Sequence, residues 1–488
     1  VDMDENYVYF TLPDGRTVES YPLTPAQQLM LYLSIQYGNH VPVLNICTGY
    51  YFQGEFDSKV MKEAILEAID RCDVMRLRFA KHPLFKVVQY LADEAGIEIE
   101  EEDLSNMPWD EAHEFIKERG HSLIDTFANA PLHQIKIIHL ENDYNGIYLK
   151  LHHLGFDGYS SKMLISDIMA IYLSKKYGKP YPKPMRSYFE CLEKEFAYAE
   201  SDRHDEDIAY WVSTITDRPE AIYTDYVRPS RLIEQRIREN KPDLRIASVH
   251  DGDDPSSKTL RYSLSKETSD KIMSLCAEKG LSVPCVMMMG LRCALSSFND
   301  NEEDVSFKLM VNRRATLLEK KSGGMRMHFF SMRSIVKPEM TFLEALKVIE
   351  QAQNEVFEHS NLSSLEAIAV RHKAMGNETH DVYESMSFSY QPYMPVPCLD
   401  EKMRDSSRGF WYNNDASMQN LYLTVMHRSN DAGLDFNYEY RTKNNPINEL
   451  GIFHNKLIKS ILLGTRNTGI TVGEILDEIK EDEVDIYA

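Results

Sequence analysis

The sequence predicts a mixed α/β protein that divides into two parts. Segments with the two-residue period of strands alternate along the chain with segments that have the 3.6-residue period of helices. The 488 residues, 43% of them hydrophobic, suffice for one large or two to three ordinary domains. The stretch Gly178–Ser187, "GKPYPKPMRS", is rich in Pro and Gly, which predicts a linker between the two parts.

Local signals before this linker predict both strands and helices. Asp14-Gly15 is typical of a hairpin turn. Thr24 is a favoured N-cap and Pro25 a favoured first helical residue, so a helix should begin there. The predicted elements, in order, are a hairpin over 8–24, a helix from 24, a strand over 45–56, a helix over 57–72, strands over 74–80 and 85–91, a helix over 108–124, two strands over 133–153 that turn at 142–146, and a helix to about 173.

After the linker the same alternation continues. A polar stretch over 248–258 predicts a loop. The other predicted elements are helices at 188–200, 205–215, 267–280, 282–298, 342–359 and 447–464, and strands at 259–265, 304–314, 385–392, 420–428 and 434–440.

Charge and cysteine content restrict the class of protein. The net charge is −22 and the sequence pI near 5.2, which argues against nucleic acid and anionic membranes as partners. Two basic stretches, Lys175–Arg186 and Arg228–Arg245, are either solvated surface or docking patches for an acidic partner. Seven scattered cysteines without a C-x-x-C pair predict reduced thiols and a cytoplasmic protein.

The hydropathy of the chain and its N-terminal residues support two further expectations. No apolar run approaches the roughly 18 residues of a membrane span. The acidic start lacks the pattern of a signal peptide, and Val1-Asp2 precede Met3, so we expect Met3 to be the natural start.

The stretch "LHHLGFDGYSS" carries the most distinctive residues, His152, His153, Asp157 and Gly158. Side chains alternate along a strand, so the two histidines point to opposite faces and cannot easily share a metal ion. His153, at the strand end, is the freer of the two to act as a general base near pH 7. A pair of buried, hydrogen-bonded histidines without catalytic function remains the alternative.

The two residues after the histidines suggest a supporting role. Asp157 would fix the turn by pairing with an arginine. Gly158 would let the backbone approach a ligand, and its N–H could face an oxyanion at the start of a helix. No G-x-S-x-G, phosphate-binding or dinucleotide-binding glycine motif occurs. His113–Lys117 lacks the second histidine of a zincin helix, and Ser263–Lys266 lacks the motifs that accompany S-x-x-K.

These residues resemble a known family. "HHLGFDG" matches the His-His-x-x-x-Asp-Gly signature of the condensation domains of nonribosomal peptide synthetases, which related CoA- and carrier-dependent acyltransferases share. Further blocks resemble the family in its order: Tyr21–Tyr32, Asp70–Phe79, Asn129–Ile138, Tyr210-Trp211, Asp225–Pro229, Val311–Arg314 and Phe388–Gln391. The C-terminal half departs from the family pattern, for example at His328, where asparagine is usual.

The resemblance implies an architecture. The family fold is a pseudo-dimer of two chloramphenicol acetyltransferase-like subdomains in a V with a central tunnel. We expect residues 1–180 to form the subdomain that carries the signature and residues 181–488 to form the other.

The resemblance also implies roles for individual residues. His153 is expected to be the base or the group that positions the attacking amine, with Gly158 beside it, and His152 to be structural. Asp157 is expected to form a salt bridge with Arg76. Substrate contacts are expected from Ser160, Tyr390 and Gln391.

By resemblance, the function is acyl transfer from a carrier-protein thioester to an amine by a stand-alone, monomeric enzyme working in trans. Substrates would arrive on phosphopantetheine, and the chain itself is expected to bind neither a cofactor nor a metal. The alternatives are an ester-forming or acyl-CoA-dependent acyltransferase, an epimerase-like member, and a non-catalytic carrier-binding platform. The intact signature argues against the platform.

Overall fold

The computed structural model divides the chain into two compact units. The first comprises residues 1–204, 312–327 and 394–416, and the second comprises residues 205–311, 328–393 and 417–488. The residues it describes are 8–12, 14–37, 41–82, 86–216, 220–248, 254–376, 381–443 and 445–482. The predicted start at Met3 and the centre of the predicted loop, 249–253, lie outside the described residues.

The predicted boundary after residue 180 falls inside the longest segment of the first unit. Tyr188, beyond the linker, is buried in that unit, and its hydroxyl donates to Gln89 at 3.0 Å. Its backbone N–H donates to the Asp73 carboxylate. The assignment of one subdomain to 1–180 and the other to 181–488 stays a prediction.

The first unit combines two sheets with surrounding helices. Its strands are β1 (Val8–Thr11), β2 (Thr17–Pro22), β3 (Asn45–Gln53), β4 (Leu77–His82), β5 (Lys86–Leu91), β6 (Glu100–Asp103), β7 (His133–Leu140), β8 (Tyr144–His152) and β15 (Arg408–Tyr412). Its helices are α1 (Pro25–Tyr37), α2 (Ser58–Asp70), α3 (Trp109–Glu118), α4 (Gly158–Tyr177), α5 (Tyr188–Ala199), α10 (Leu317–Lys321) and α13 (Glu401–Ser406).

The five-stranded sheet of this unit carries the predicted signature. Its strand order is β15-β3-β8-β7-β6, antiparallel except for the β6–β7 pair. The other sheet is the antiparallel β1-β2-β5-β4. Glu141, Asn142 and Asp143 connect β7 and β8, and the positive φ at Asn142 and Asp143 is typical of a tight hairpin turn.

The two faces of the five-stranded sheet have different neighbours. Tyr148 of β8 packs with Ala112 and Ile116 of α3 in one buried cluster. Thr48 of β3 points to the other face, where its hydroxyl lies 2.8 Å from that of Ser161 on α4. The alternation along β8 therefore turns His152 toward the α3 side and His153 toward the α4 side, as the sequence predicted.

The second unit contains the larger sheet. Its strands are β9 (Ala247–Ser248), β10 (Ser257–Ser263), β11 (Asp304–Val311), β12 (His328–Ile335), β13 (Asp381–Val382), β14 (Ser387–Gln391), β16 (Leu421–His427) and β17 (Leu434–Arg441). Its helices are α6 (Asp202–Thr216, which begins three residues before the unit), α7 (Arg231–Glu239), α8 (Lys266–Lys279), α9 (Val283–Phe298), α11 (Phe342–Glu358), α12 (Ser364–Met375), α14 (Ile447–Arg466) and α15 (Val472–Glu478).

The six-stranded sheet of the second unit has the order β10-β17-β16-β14-β11-β12. β14 runs parallel to both of its neighbours, and the other pairs are antiparallel. Helices α9 and α14 supply much of the core against this sheet. The mixed α/β class that the sequence predicted is therefore confirmed.

Among the described residues, no individual helix is long and apolar enough to span a membrane. The pair α8 and α9, bent by 114°, satisfies the length and composition test only when the two helices are taken together. Residues 285–296 of α9 are buried in the core of the second unit.

Candidate active site

The signature residues lie between the end of β8 and the start of α4. The His153 N–H donates to the Leu44 carbonyl at 2.7 Å, and the His152 N–H donates to the Leu132 carbonyl at 2.9 Å. These bonds fix both histidines to the sheet. A short turn follows, and α4 begins at Gly158 with Asp157 as its N-cap.

The His152 side chain is hydrogen-bonded within this turn. Its Nδ1 accepts a hydrogen bond from the Leu154 N–H at 3.1 Å, so the ring holds the bend of the chain. Burial lowers the pKa of His152 to about 3, with a further contribution from neighbouring His153. The imidazole is therefore neutral near pH 7, as a hydrogen-bond acceptor at Nδ1 must be.

His153 is also buried but is bonded differently. Only 9% of the residue is exposed, and its Nδ1 is buried beside the Phe156 backbone without a well-formed hydrogen bond. Burial lowers the pKa of His153 to about 4, against the opposing effect of the nearby Asp157 charge. His153 is thus a neutral imidazole that retains hydrogen-bonding capacity.

Asp157 is paired with Arg314. Arg314 Nη1 lies 2.8 Å from Asp157 Oδ2, and Arg314 Nη2 lies 3.1 Å from Asp157 Oδ1. The same carboxylate accepts from the N–H of Arg326 at 3.0 Å. Burial by itself would raise the pKa of Asp157, but the Arg314 charge and these hydrogen bonds hold that pKa below its usual range.

The predicted pairing of Asp157 with Arg76 is wrong. Arg76 ends a 3₁₀ turn before β4, and its Nη1 approaches the carbonyls of Ala92 and Asp93 at 3.4 and 3.5 Å. Its guanidinium therefore holds the chain after β5, while Arg314 occupies the place beside Asp157. The sequence contained Arg314 in the quoted block Val311–Arg314, but local spacing could not choose between arginines 81 and 157 residues from Asp157.

Ser160 completes what we call the brace, defined as Asp157, Ser160, Arg314 and Gly324. The Ser160 N–H donates to Asp157 Oδ1 at 3.0 Å. The Ser160 hydroxyl lies 3.0 Å from the same oxygen and 2.7 Å from the Gly324 carbonyl. Arg314 Nη2 donates to that carbonyl at 2.8 Å. Ser160 is therefore engaged within the brace, which differs from the substrate contact predicted for it.

A second set of ion pairs, centred on Glu195 of α5, lies next to the brace. Buried Glu195 of α5 receives Arg313 at 3.2 Å on Oε2 and Arg326 at 3.0 Å on Oε1. Arg313 is the chain neighbour of Arg314, and Arg326 donates its own backbone N–H to Asp157. The Glu195 ion pairs thus anchor the segment 312–327 near both of its ends, at Arg313 and at Arg326.

Gly158 leaves room for a tryptophan. A Cβ atom on Gly158 would lie 3.1 Å from Cη2 of Trp411, which is 36% exposed on β15. Trp411 pairs with Thr48 across β15 and β3, so its ring lies on the α4 side of the sheet. The Gly158 N–H meets no acceptor in the parts of the chain that the structure describes. No local signal in the sequence pointed to Trp411.

Tyr390 and Gln391 belong to the second unit, at the end of β14. The Tyr390 hydroxyl is 2.7 Å from His427 Nε2, and its ring packs on the hydrophobic core. Gln391 Oε1 is buried without a hydrogen-bond partner among the described residues. Their predicted role in substrate binding stays a prediction.

The described residues contain no cluster of three or more His, Cys, Asp or Glu side chains that could hold a metal ion. Several arginines of the basic stretch Arg228–Arg245 are paired within the second unit. Arg231 binds buried Asp225 at 2.7 Å, and Arg228 binds Glu449 at 2.8 Å. This pairing leaves less of that stretch available to an acidic partner.

Comparison with protein families gives a match over most of the chain. The model of the family described as "Condensation domain" matches residues 18–445. One plipastatin synthase protein of Bacillus subtilis is 20% identical over 423 residues, which cover 86% of this chain and 15% of that protein. Surfactin synthase subunit 2 of the same organism is 23% identical over 345 residues, which cover 70% of this chain and 9% of that protein. The chain thus spans only a small part of these curated relatives.

Solved structures show the same fold. The first condensation domain of the calcium-dependent antibiotic synthetase, in complex with a substrate analogue, has a TM-score of 0.74 at 18% identity, covering 93% of this chain and 99% of that one. A variant of the starter condensation domain of rhizomide synthetase, in complex with C8-CoA, has a TM-score of 0.74 at 16% identity, covering 93% and 96%.

Proposed function

This chain belongs to the condensation-domain family, and we propose that it transfers an acyl group from a thioester to an amine, forming an amide bond. The observation that carries the proposal is the state of His153. It is fixed to the sheet by its backbone and supported by the buried brace; its Nδ1 lies buried beside the Phe156 backbone, which leaves Nε2 as the ring nitrogen for a substrate.

The low basicity of His153 bears on its role. With its pKa lowered to about 4, the imidazole is neutral at pH 7. The neutral ring is therefore available to accept a hydrogen bond from the N–H of an attacking amine. An imidazole of such low basicity is a poor acceptor for a full proton. This favours a role in positioning the attacking amine over removal of the amine proton.

The reaction also needs a hydrogen-bond donor that stabilises the oxyanion of its intermediate. The amine nitrogen bonds to the thioester carbonyl carbon, and the carbonyl oxygen becomes an oxyanion. When this intermediate collapses, the C–S bond breaks and the departing thiolate takes the proton that the amine loses. The Gly158 N–H, at the positive end of the α4 dipole, is the donor we assign to the oxyanion.

The donor is proposed to arrive on a phosphopantetheine arm, carried either by an acyl carrier protein in trans or by CoA. A starter condensation domain bound to C8-CoA supports the CoA form, and synthetase relatives support the carrier form. We further propose that the protein acts as a monomer in the cytoplasm.

Product analysis by mass spectrometry tests the proposal. Acyl-CoA, acyl-pantetheine and acyl-carrier donors are each offered an amine and an alcohol of similar size. We expect an amide product with at least one donor class. An ester as the main product would move the chain to the alternative ester-forming class. Hydrolysis alone with every donor would reject acyl transfer to an acceptor.

A further inference from the structure

Helix α4 has one accessible stripe on an otherwise buried surface. From Gly158 to Leu173 the residues are buried except Gly158, Tyr159, Lys162 and Ser166, which are partly accessible. Positions three and four residues apart lie on the same face of a helix, so these four form one stripe. The stripe begins directly after Asp157, at the end of α4 that adjoins the signature turn.

Lys162 places a positive charge on this stripe. No hydrogen bond, ion pair or aromatic contact engages its ammonium group among the described residues. The lysines of the last turn of α4 differ, since Lys175 binds Glu67 at 2.8 Å and Lys176 donates to the Glu55 carbonyl. Burial lowers the pKa of Lys162 to about 8, so most of the ammonium is still charged at pH 7.

An unpaired charge in such a place is costly to the folded protein. Desolvation weakens the interactions of an ammonium with water, and no carboxylate of the described chain compensates for it. The position also lies close to the proposed chemistry, because four residues of helix advance about 6 Å from Gly158 to Lys162. A lysine side chain on this face reaches a group a few bonds away from the reacting carbonyl carbon.

We propose that Lys162 is a specificity-determining residue that binds a carboxylate of the substrate. The carboxylate is carried either by a short acyl chain of the donor or by the acceptor amine. This assignment rests on the proposed acyl transfer and names its substrate class. The phosphate of a pantetheine arm fits less well, because the whole arm separates it from the thioester carbonyl that reacts near Gly158.

Two arms of one kinetic experiment distinguish the sources of the carboxylate. In the first, glutaryl-pantetheine is compared with its terminal monoamide, using a neutral amine as acceptor. In the second, alanine is compared with alaninamide, using a neutral acyl donor. We expect the wild type to prefer the carboxylate in one arm by about 10- to 100-fold in kcat/KM, as for a charged hydrogen-bonded partner.

Variants of Lys162 then test the assignment. We expect K162M to lose the preference and K162R to keep it. K62M removes the same charge from an exposed position on α2 and should behave as the wild type. K162M should also melt at or above the wild-type temperature, because it removes an unpaired, partly buried charge.

The outcomes separate failure of this assignment from failure of the proposed function. Turnover of neutral substrates with no carboxylate preference in either arm overturns the role of Lys162 alone. So does a K162M protein that melts lower and keeps the preference, which is the behaviour of a merely structural lysine. If K162M does not fold, K162Q is measured in its place. No turnover of any substrate overturns acyl transfer and the role of Lys162 together.

Discussion

Replacing Arg314 with methionine should destabilise the first unit strongly. Arg314 is 1% exposed and Asp157 2% exposed at the side chain, and the two meet in a bidentate pair at 2.8 and 3.1 Å. Methionine fills much of the volume and removes the charge. Asp157 is then left as a buried carboxylate without its counter-ion.

The expected cost follows from the remaining contacts of Asp157. Breaking a buried ion pair by removing one partner costs about 3–5 kcal/mol. Asp157 keeps the N–H groups of Ser160 and Arg326 and the Ser160 hydroxyl, which places the expected loss near the lower end of that range. At about 2–4 °C per kcal/mol for a body of this size, R314M should lower the melting temperature by roughly 6–12 °C.

Differential scanning fluorimetry or calorimetry of three variants tests this value. R76M is the matched control, because Arg76 makes long contacts to the Ala92 and Asp93 carbonyls and acts on the Asp73 charge without an ion pair or hydrogen bond to it among the described residues, and it should shift melting by less than about 3 °C. D157N/R314M removes both charges and should melt above R314M alone. The reasoning is refuted if R314M melts within about 2 °C of the wild type, or if R76M falls as far as R314M.

Three further changes concern Gly158 and Glu195 of the site and the buried His133 of β7. G158A should slow acyl transfer, because its Cβ would press on the Trp411 ring at 3.1 Å, and W411L in the same protein should restore part of the rate. E195Q should lower the melting temperature because it removes the buried carboxylate charge that pairs with both Arg313 and Arg326, whereas E193Q on the exposed side of α5 should not. Burial lowers the pKa of His133 to about 4, so the unfolded chain takes up this proton at a higher pH than the folded protein does. The free energy of unfolding should therefore fall as the pH drops from about 6.5 to about 4. H133Q should remove up to about 3 kcal/mol of this loss, measured by urea unfolding at pH 7 and pH 4.5.

Local patterns in the sequence were sufficient for the elements next to the site. Alternation along β8 separated His152 from His153, and the structure places them on opposite faces. Thr24 and Pro25 marked the start of α1, where the Thr24 hydroxyl accepts from the Gln27 N–H at 3.2 Å. These features depend on neighbours within a few residues, which a single sequence shows directly.

Contacts between distant segments could not be predicted in this way. β15 pairs with β3 in the five-stranded sheet of the first unit, although more than 350 residues separate the paired positions Trp411 and Thr48. The brace likewise joins Asp157 to Arg314, and no local spacing selects that arginine over Arg76. The sequence did not single out Lys162, because its meaning depends on the burial of every other face of α4.

The most direct test of the central claim is the single-turnover rate of H153A with an acyl-pantetheine donor and an amine. A positioned imidazole contributes about 10²–10⁴-fold, so we expect a loss of at least 100-fold in rate with a melting temperature close to that of the wild type. H121A removes an exposed histidine of the same unit and should keep the wild-type rate. A rate for H153A within about threefold of the wild type would contradict the assignment of His153 as the centre of acyl transfer.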